Sequence, residues 1–165
     1  MIFVIGITLA VVTVPLTGGR WWYLDHERLR TPGLIAASVA TQFVVVNLPD
    51  GAVARTGHIG SYLLLAAFIA RNRDLQGIWL LGLGAACNFV AIAANGGVMP
   101  VSPEAWAAVG AHLDTDRFTN AAPIEDAHLA LFGDVMAMPA WVPGALPFSA
   151  GDVILVIGLI AVIHA

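Results

Sequence analysis

The chain has 165 residues, of which 59% are hydrophobic and 11% charged, with seven arginines, no lysine and a formal net charge of −4. Its mean hydropathy of +0.84 is far from a soluble domain, which carries about 25% charged residues and, at ~150 residues, buries only about 70% of its unfolded surface. Composition therefore argues for lipid as the solvent and, with no basic stripe, against nucleic acid as a partner.

The first apolar segment runs over residues 1–17 and has no basic residue ahead of it, so it is expected to be retained rather than cleaved as a signal peptide. Four more follow at 32–49, 57–70, 76–94 and 149–164. Each approaches the ~20 residues that cross a bilayer, and none alternates as a barrel strand would. The expected fold is an all-α integral membrane protein of five transmembrane helices, with a cap of short helices and a proline-rich strip between helices four and five. Residues 1–165 then form one membrane domain, and 95–148 an extracytoplasmic insert.

The first joint, "GGRWWYLDHERLRTP", places Trp21, Trp22, Tyr23 and His26 beside three arginines and reads as an interfacial elbow. Arg20, Arg28 and Arg30 lie there and Arg71 and Arg73 in the third joint, whereas the second joint has Arg55 and the insert Arg117. By the positive-inside rule the amino terminus faces out and the carboxyl terminus faces the cytoplasm.

In the third segment, His58, Ser61 and Tyr62 lie near its outer end. Gly82 and Gly84 in the fourth suit close helix packing, and Cys87 sits mid-helix, where an apolar setting makes a thiol inert. The lone cysteine excludes an intramolecular disulfide. Asn88 and Asn95 lie in the outer half of the fourth segment, with Asn47 and Gln42 as neighbours from the second.

The stretch "ANGGVMPVSPE" at 94–104 is dense in turn chemistry. Gly96 and Gly97 suit a left-handed helix stop and Pro100 forbids continuation. Met99 and its valine neighbours are apolar enough to dip back toward the membrane. Ser102, Pro103 and Glu104 read as the start of a short helix reaching about Leu113. The insert is acidic, and "HLDTD" and "EDAH" offer weak metal-ligand candidates: His112, Asp114, Asp116, Glu125 and His128. A Glu three residues before a His can share a helical face with it, but di-metal sites need that motif twice, so no metal is assigned and no cofactor is expected.

The segment "MPAWVPGALPFSAGD" reads as an extended interfacial strip anchored by Trp141. Asp134 precedes it and Asp152 opens the fifth segment, so His58, Ser61, Tyr62, Asn88, Asn95, Asp134 and Asp152 are expected to converge below the insert. Polar groups in a bilayer either glue helices together or form a site.

The stretches "LTGGR" (16–20), "HIGSYLLL" (58–65), "NFVAIAANGGVMPVSPEA" (88–105), "FGDV" (132–135) and "FSAGDV" (148–153) resemble a family of uncharacterised small bacterial membrane proteins, mainly actinobacterial, marked by N-G-G-x-M-P-V-S. The resemblance implies a shared membrane fold with an extracytoplasmic feature and carries no reaction. From fit and from the lack of a nucleophile elbow or phosphate loop, the expected role is a non-catalytic accessory subunit or assembly factor, bound to lipid and to other membrane subunits or its own copies. The alternatives are a solute- or lipid-binding or transport protein and an extracytoplasmic membrane enzyme acting on a lipid-linked substrate.

Overall fold

The computed structural model describes residues 29–110 and 116–164. Segment 1–17, the aromatic elbow and "LTGGR" lie outside them. Four apolar helices form the body: α1 (Gly33–Val45), α2 (Ala52–Arg71), α3 (Ile78–Ala94) and α5 (Ala150–His164). Between α3 and α5 the chain makes β1 (Met99–Val101), the short helix α4 (Pro103–Ala108), β2 (Ala121–Pro123), a 3₁₀ turn (Ala130–Phe132), β3 (Met136–Ala137) and β4 (Pro147–Phe148).

This corrects the expectation of five transmembrane helices. Among the described residues only α2, with 20 residues, is long and apolar enough to cross a membrane; α1, α3 and α5 are shorter apolar helices of 13, 17 and 15 residues. Apolar runs overstate helices because their ends carry turn chemistry. At the end of α1, Asn47 Nδ2 donates to the Phe43 carbonyl at 2.8 Å, and Pro49 follows. α3 starts only after Gly77, whose left-handed φ of 81° breaks the helix. α2 instead gains a turn: the polar residues ahead of Gly57 are helical, with Thr56 Oγ1 donating to the Ala52 carbonyl at 2.6 Å.

At the end of the bundle away from the insert, Asn72 is 2% exposed and ties two joints together. Its Oδ1 accepts from Arg30 N at 2.7 Å, and its Nδ2 donates to the Arg30 and Phe68 carbonyls. Phe68, Ile69, Ile78, Leu81, Ala85 and Leu155 form a core cluster in the body. The closest helix pair is α3 with α5. A Cβ on Gly84 would sit 2.5 Å from Leu155 N and 2.6 Å from the Gly151 carbonyl, and one on Gly158 would overlap Leu81 N. Small residues here let the two backbones touch.

The insert is not an all-helical cap. β1 pairs in parallel with β2, and Val101 bridges to Asp134 on its other side, so "MPV" is a fully buried central strand. Asp134 N donates to the Pro100 carbonyl at 2.9 Å, and Ser102 N to the Asp134 carbonyl at 3.1 Å. Gly133 permits this approach, since a Cβ there would collide with the Pro100 carbonyl. Ser102 Oγ accepts from Ala105 N and caps α4, which ends at Ala108, short of the expected reach.

The proline-rich strip is a hairpin rather than an extended segment. β3 pairs antiparallel with β4, and turns through Val142 and Ala145 leave Trp141 83% exposed near the tip. Prolines at both flanks stop a helix and also favour tight turns, and the cross-strand bonds decide between turn and extension.

Candidate functional site

The end of α3 sets the site. Gly97 N donates to the Ile92 carbonyl at 2.9 Å, the 6→1 bond of a Schellman stop with Gly96 left-handed at φ 64°. Gly97 has φ 92°, and a Cβ there would lie 2.8 Å from the Arg55 carbonyl, so only glycine fits between α2 and the turn into β1. The Gly97 carbonyl then accepts from His58 Nδ1 at 2.7 Å. A carbonyl only accepts, so Nδ1 carries the proton and, in the neutral ring, Nε2 is left as an acceptor. Tyr62 and Phe118 pack edge-on against the imidazole, each with ring centroids 5.7 Å away.

The start of α5 supplies a second fixed group. Ser149 Oγ accepts from Asp152 N at 3.0 Å while Asp152 Oδ2 accepts from Ser149 N at 3.0 Å. This is a reciprocal capping box, which satisfies two donors freed at the helix start. Asp152 Oδ1 accepts from Asn88 Nδ2 at 2.7 Å, and Ser149 Oγ donates to Asn88 Oδ1 at 2.9 Å. All three side chains are buried, so the network fixes α5 against α3 where the helices touch.

These elements enclose a cavity of about 230 Å³ lined by Gln42, His58, Tyr62, Asn88, Ile92, Met99, Asn120, Asp134, Leu146 and Asp152, among others. Its two carboxylates differ sharply in surroundings. Asp152 has both oxygens bonded, whereas Asp134 is 6% exposed and its Oδ1 is buried with no hydrogen-bond partner. Burial, and next the negative charge of Asp152, push the Asp134 carboxyl up to about 7. Leaving a buried acceptor unpaired costs roughly 1–3 kcal/mol, and more if it is charged.

Of the residues expected to converge, His58, Tyr62, Asn88, Asp134 and Asp152 line the cavity, joined by Met99 from the turn stretch. The others support it from outside. Ser61 is fully buried; its Oγ donates to the His58 carbonyl at 2.6 Å and accepts from Gln42 Nε2 at 3.2 Å. Asn95 faces away and clamps the insert, with Oδ1 accepting from His128 N and Nδ2 donating to the His128 carbonyl. Gly96, Gly97 and Pro100 shape the backbone above.

Asn120 and Ser149 were missed. Ser149 was legible as the first residue of S-x-x-D ahead of an apolar run; nothing in the local pattern marks Asn120.

The metal candidates among the described residues do not assemble. His112 and Asp114 lie outside the described residues, and Asp116, Glu125 and His128 are exposed. Residues 125–126 and 128–129 form turns, with Asp126 and Leu129 at positive φ, so Glu125 and His128 share no helical face. Among the described residues no group of three or more His, Cys, Asp or Glu is placed to hold a metal ion.

A family model described as a family of unknown function, DUF5317, matches residues 26–164. No curated protein and no solved structure matches the chain.

Proposed function

Taking as premise that the chain belongs to the DUF5317 family, we propose that it is a binding protein for a small polar molecule held in the cavity between His58, Asn88, Asp134 and Asp152. The observation that carries this reading is Asp134, a buried carboxylate that lines the cavity with an oxygen left unpaired. Helix glue would have satisfied it, as Asn88, Ser149 and Asp152 satisfy one another. A cavity with a few convergent polar groups and one perturbed acid is the usual form of a small-molecule site.

The setting we propose is a bacterial cytoplasmic membrane, with the cavity toward the extracytoplasmic side. Two features support it. Large apolar side chains stay exposed along the body, such as Val39, Phe43, Val53, Leu63 and Trp79, and helices apolar on every face suit lipid or a protein neighbour. Arg30, Arg71 and Arg73 lie at the end of the bundle away from the cavity, consistent with the positive-inside rule.

The same exposed faces favour a second reading, an accessory subunit or assembly factor docked on another membrane protein. Native mass spectrometry of the protein released from its own membranes in mild detergent separates the two. A retained small molecule that is lost in Asp134→Asn is the result expected for a binding protein. A stoichiometric partner polypeptide, with no small molecule retained, would overturn that reading in favour of the accessory subunit.

A further inference from the structure

The cavity has a neighbour. Between α2 and α3 an apolar groove of about 380 Å³ is lined by Leu63, Ala66, Ala70, Trp79, Gly82, Ala86 and Phe89, together with Tyr62. Among the described residues Tyr62 is the one common to cavity and groove, and its ring lies 6.3 Å from that of Phe89. A polar chamber and an apolar groove therefore share Tyr62 as a wall, and a molecule that occupied both would pass its ring.

From this arrangement we infer that the ligand is a single-chain amphiphile with a cationic, hydrogen-bond-donating head in the polar cavity and its alkyl chain along the α2–α3 groove. The inference rests on the binding reading above and assigns the chemistry of each half. On the head side, the charged side chains among the described residues lining the cavity are Asp134 and Asp152, with no arginine among those residues. When Asp134 is ionised its unpaired oxygen accepts only, and His58 Nε2 accepts in the neutral ring, so both call for a donor. An ammonium supplies several N–H donors and positive charge at once, whereas a carboxylate or phosphate head would meet like charge.

On the tail side, Tyr62 to Ala70 covers nine residues of α2, roughly 12 Å of helix axis, which suits a medium-length alkyl chain. Small side chains at Ala66, Gly82 and Ala86 leave the channel open, and Ala66 and Ala86 are exposed on its outer lip.

The test measures Kd for decylamine, decanol and butylamine on the full chain in lipid nanodiscs, for wild type and for the Asp134→Asn and Ala86→Phe variants. Decanol matches the chain without the charge, and butylamine matches the charge without the chain. For wild type, decylamine is expected to bind roughly tenfold or more tightly than either, the scale of a charge-assisted contact or a few buried methylenes. Asp134→Asn should remove the advantage over decanol while decanol still binds, which shows that the variant is folded. Ala86→Phe should shrink the advantage over butylamine.

If butylamine binds as tightly as decylamine, the groove is not part of the site; the amphiphile is overturned and the binding reading stands. If decanol equals decylamine in wild type, the head is not read and the inference fails. Should butylamine also fail to bind, small polar cations are excluded from the cavity, and the inference falls on both halves.

Discussion

At Asp134, stability and the proposed ligand binding pull in opposite directions. Its carboxyl is held at about 7 by burial and by Asp152, from an ordinary value of 3.8. Between those two values the folded state holds a proton that the unfolded chain has released, so stability falls as pH rises from about 4 to about 7 and is then level. The titratable groups facing it across the cavity are Asp152 on α5 and His58 and Tyr62 on α2.

Asp134→Asn should therefore raise Tm at pH 8 and flatten the pH dependence in that window, as measured by thermal unfolding in detergent at several pH values. A fall in Tm at pH 8 would mean that the carboxylate has a partner in the folded protein. Binding should run the other way: affinity for an ammonium needs the carboxylate, so it should weaken as pH drops through about 7, by up to tenfold per unit below that point.

Much of this site was legible residue by residue, because buried polar types are conspicuous in an apolar chain. Their division of labour was not. Whether Asn88 or Asn95 faces the cavity depends on helix phase near a cap, and only the Schellman stop turns Asn95 out toward His128.

At the scale of the elements, the contact of α3 with α5 sets the site's dimensions, since Asn88 and Asp152 reach one another across it. Gly84→Ala places a methyl group against the backbone of α5, at Leu155 N and the Gly151 carbonyl. Backbone cannot yield as a flexible side chain does, so the helices must part, at a cost of about 1–3 kcal/mol. Gly82→Ala is the control: its Cβ would meet only the Ile69 side chain, at 3.3 Å, and the change should be nearly neutral. Denaturation of both variants in one detergent checks the pair; equal losses would mean that the α3–α5 contact is loose.

The apolar segments from residue 32 onward did mark the four body helices, yet their lengths did not follow. Hydropathy counts apolar residues without regard to the glycines, asparagines and prolines that end a helix. The β pairing of the insert was invisible for a different reason. Strands of two or three residues have no periodicity to detect, and "MPV" pairs with residues 121–123 and with Asp134 only because the intervening chain folds back.

For the whole molecule, the proposed membrane setting commits to a side for the cavity: α4 and the insert outside, and the end with Arg30, Arg71 and Arg73 inside. The chain has one cysteine, Cys87, so a Cys87→Ser background allows single reporters. Ala107 on α4 and Arg73 beyond α2 are both exposed, and substituting either by cysteine disturbs no core contact.

In intact expressing cells, a membrane-impermeant maleimide should label Ala107→Cys and leave Arg73→Cys unreacted until the cells are opened. The reverse pattern would place the cavity in the cytoplasm, where its ligand would have to be an intracellular molecule. Labelling of both without opening the cells would mean that α2, the one described helix long enough to span a bilayer, does not separate the two ends. The apolar faces would then need a protein neighbour instead of lipid, and the accessory-subunit reading would gain at the expense of the membrane-embedded binding protein.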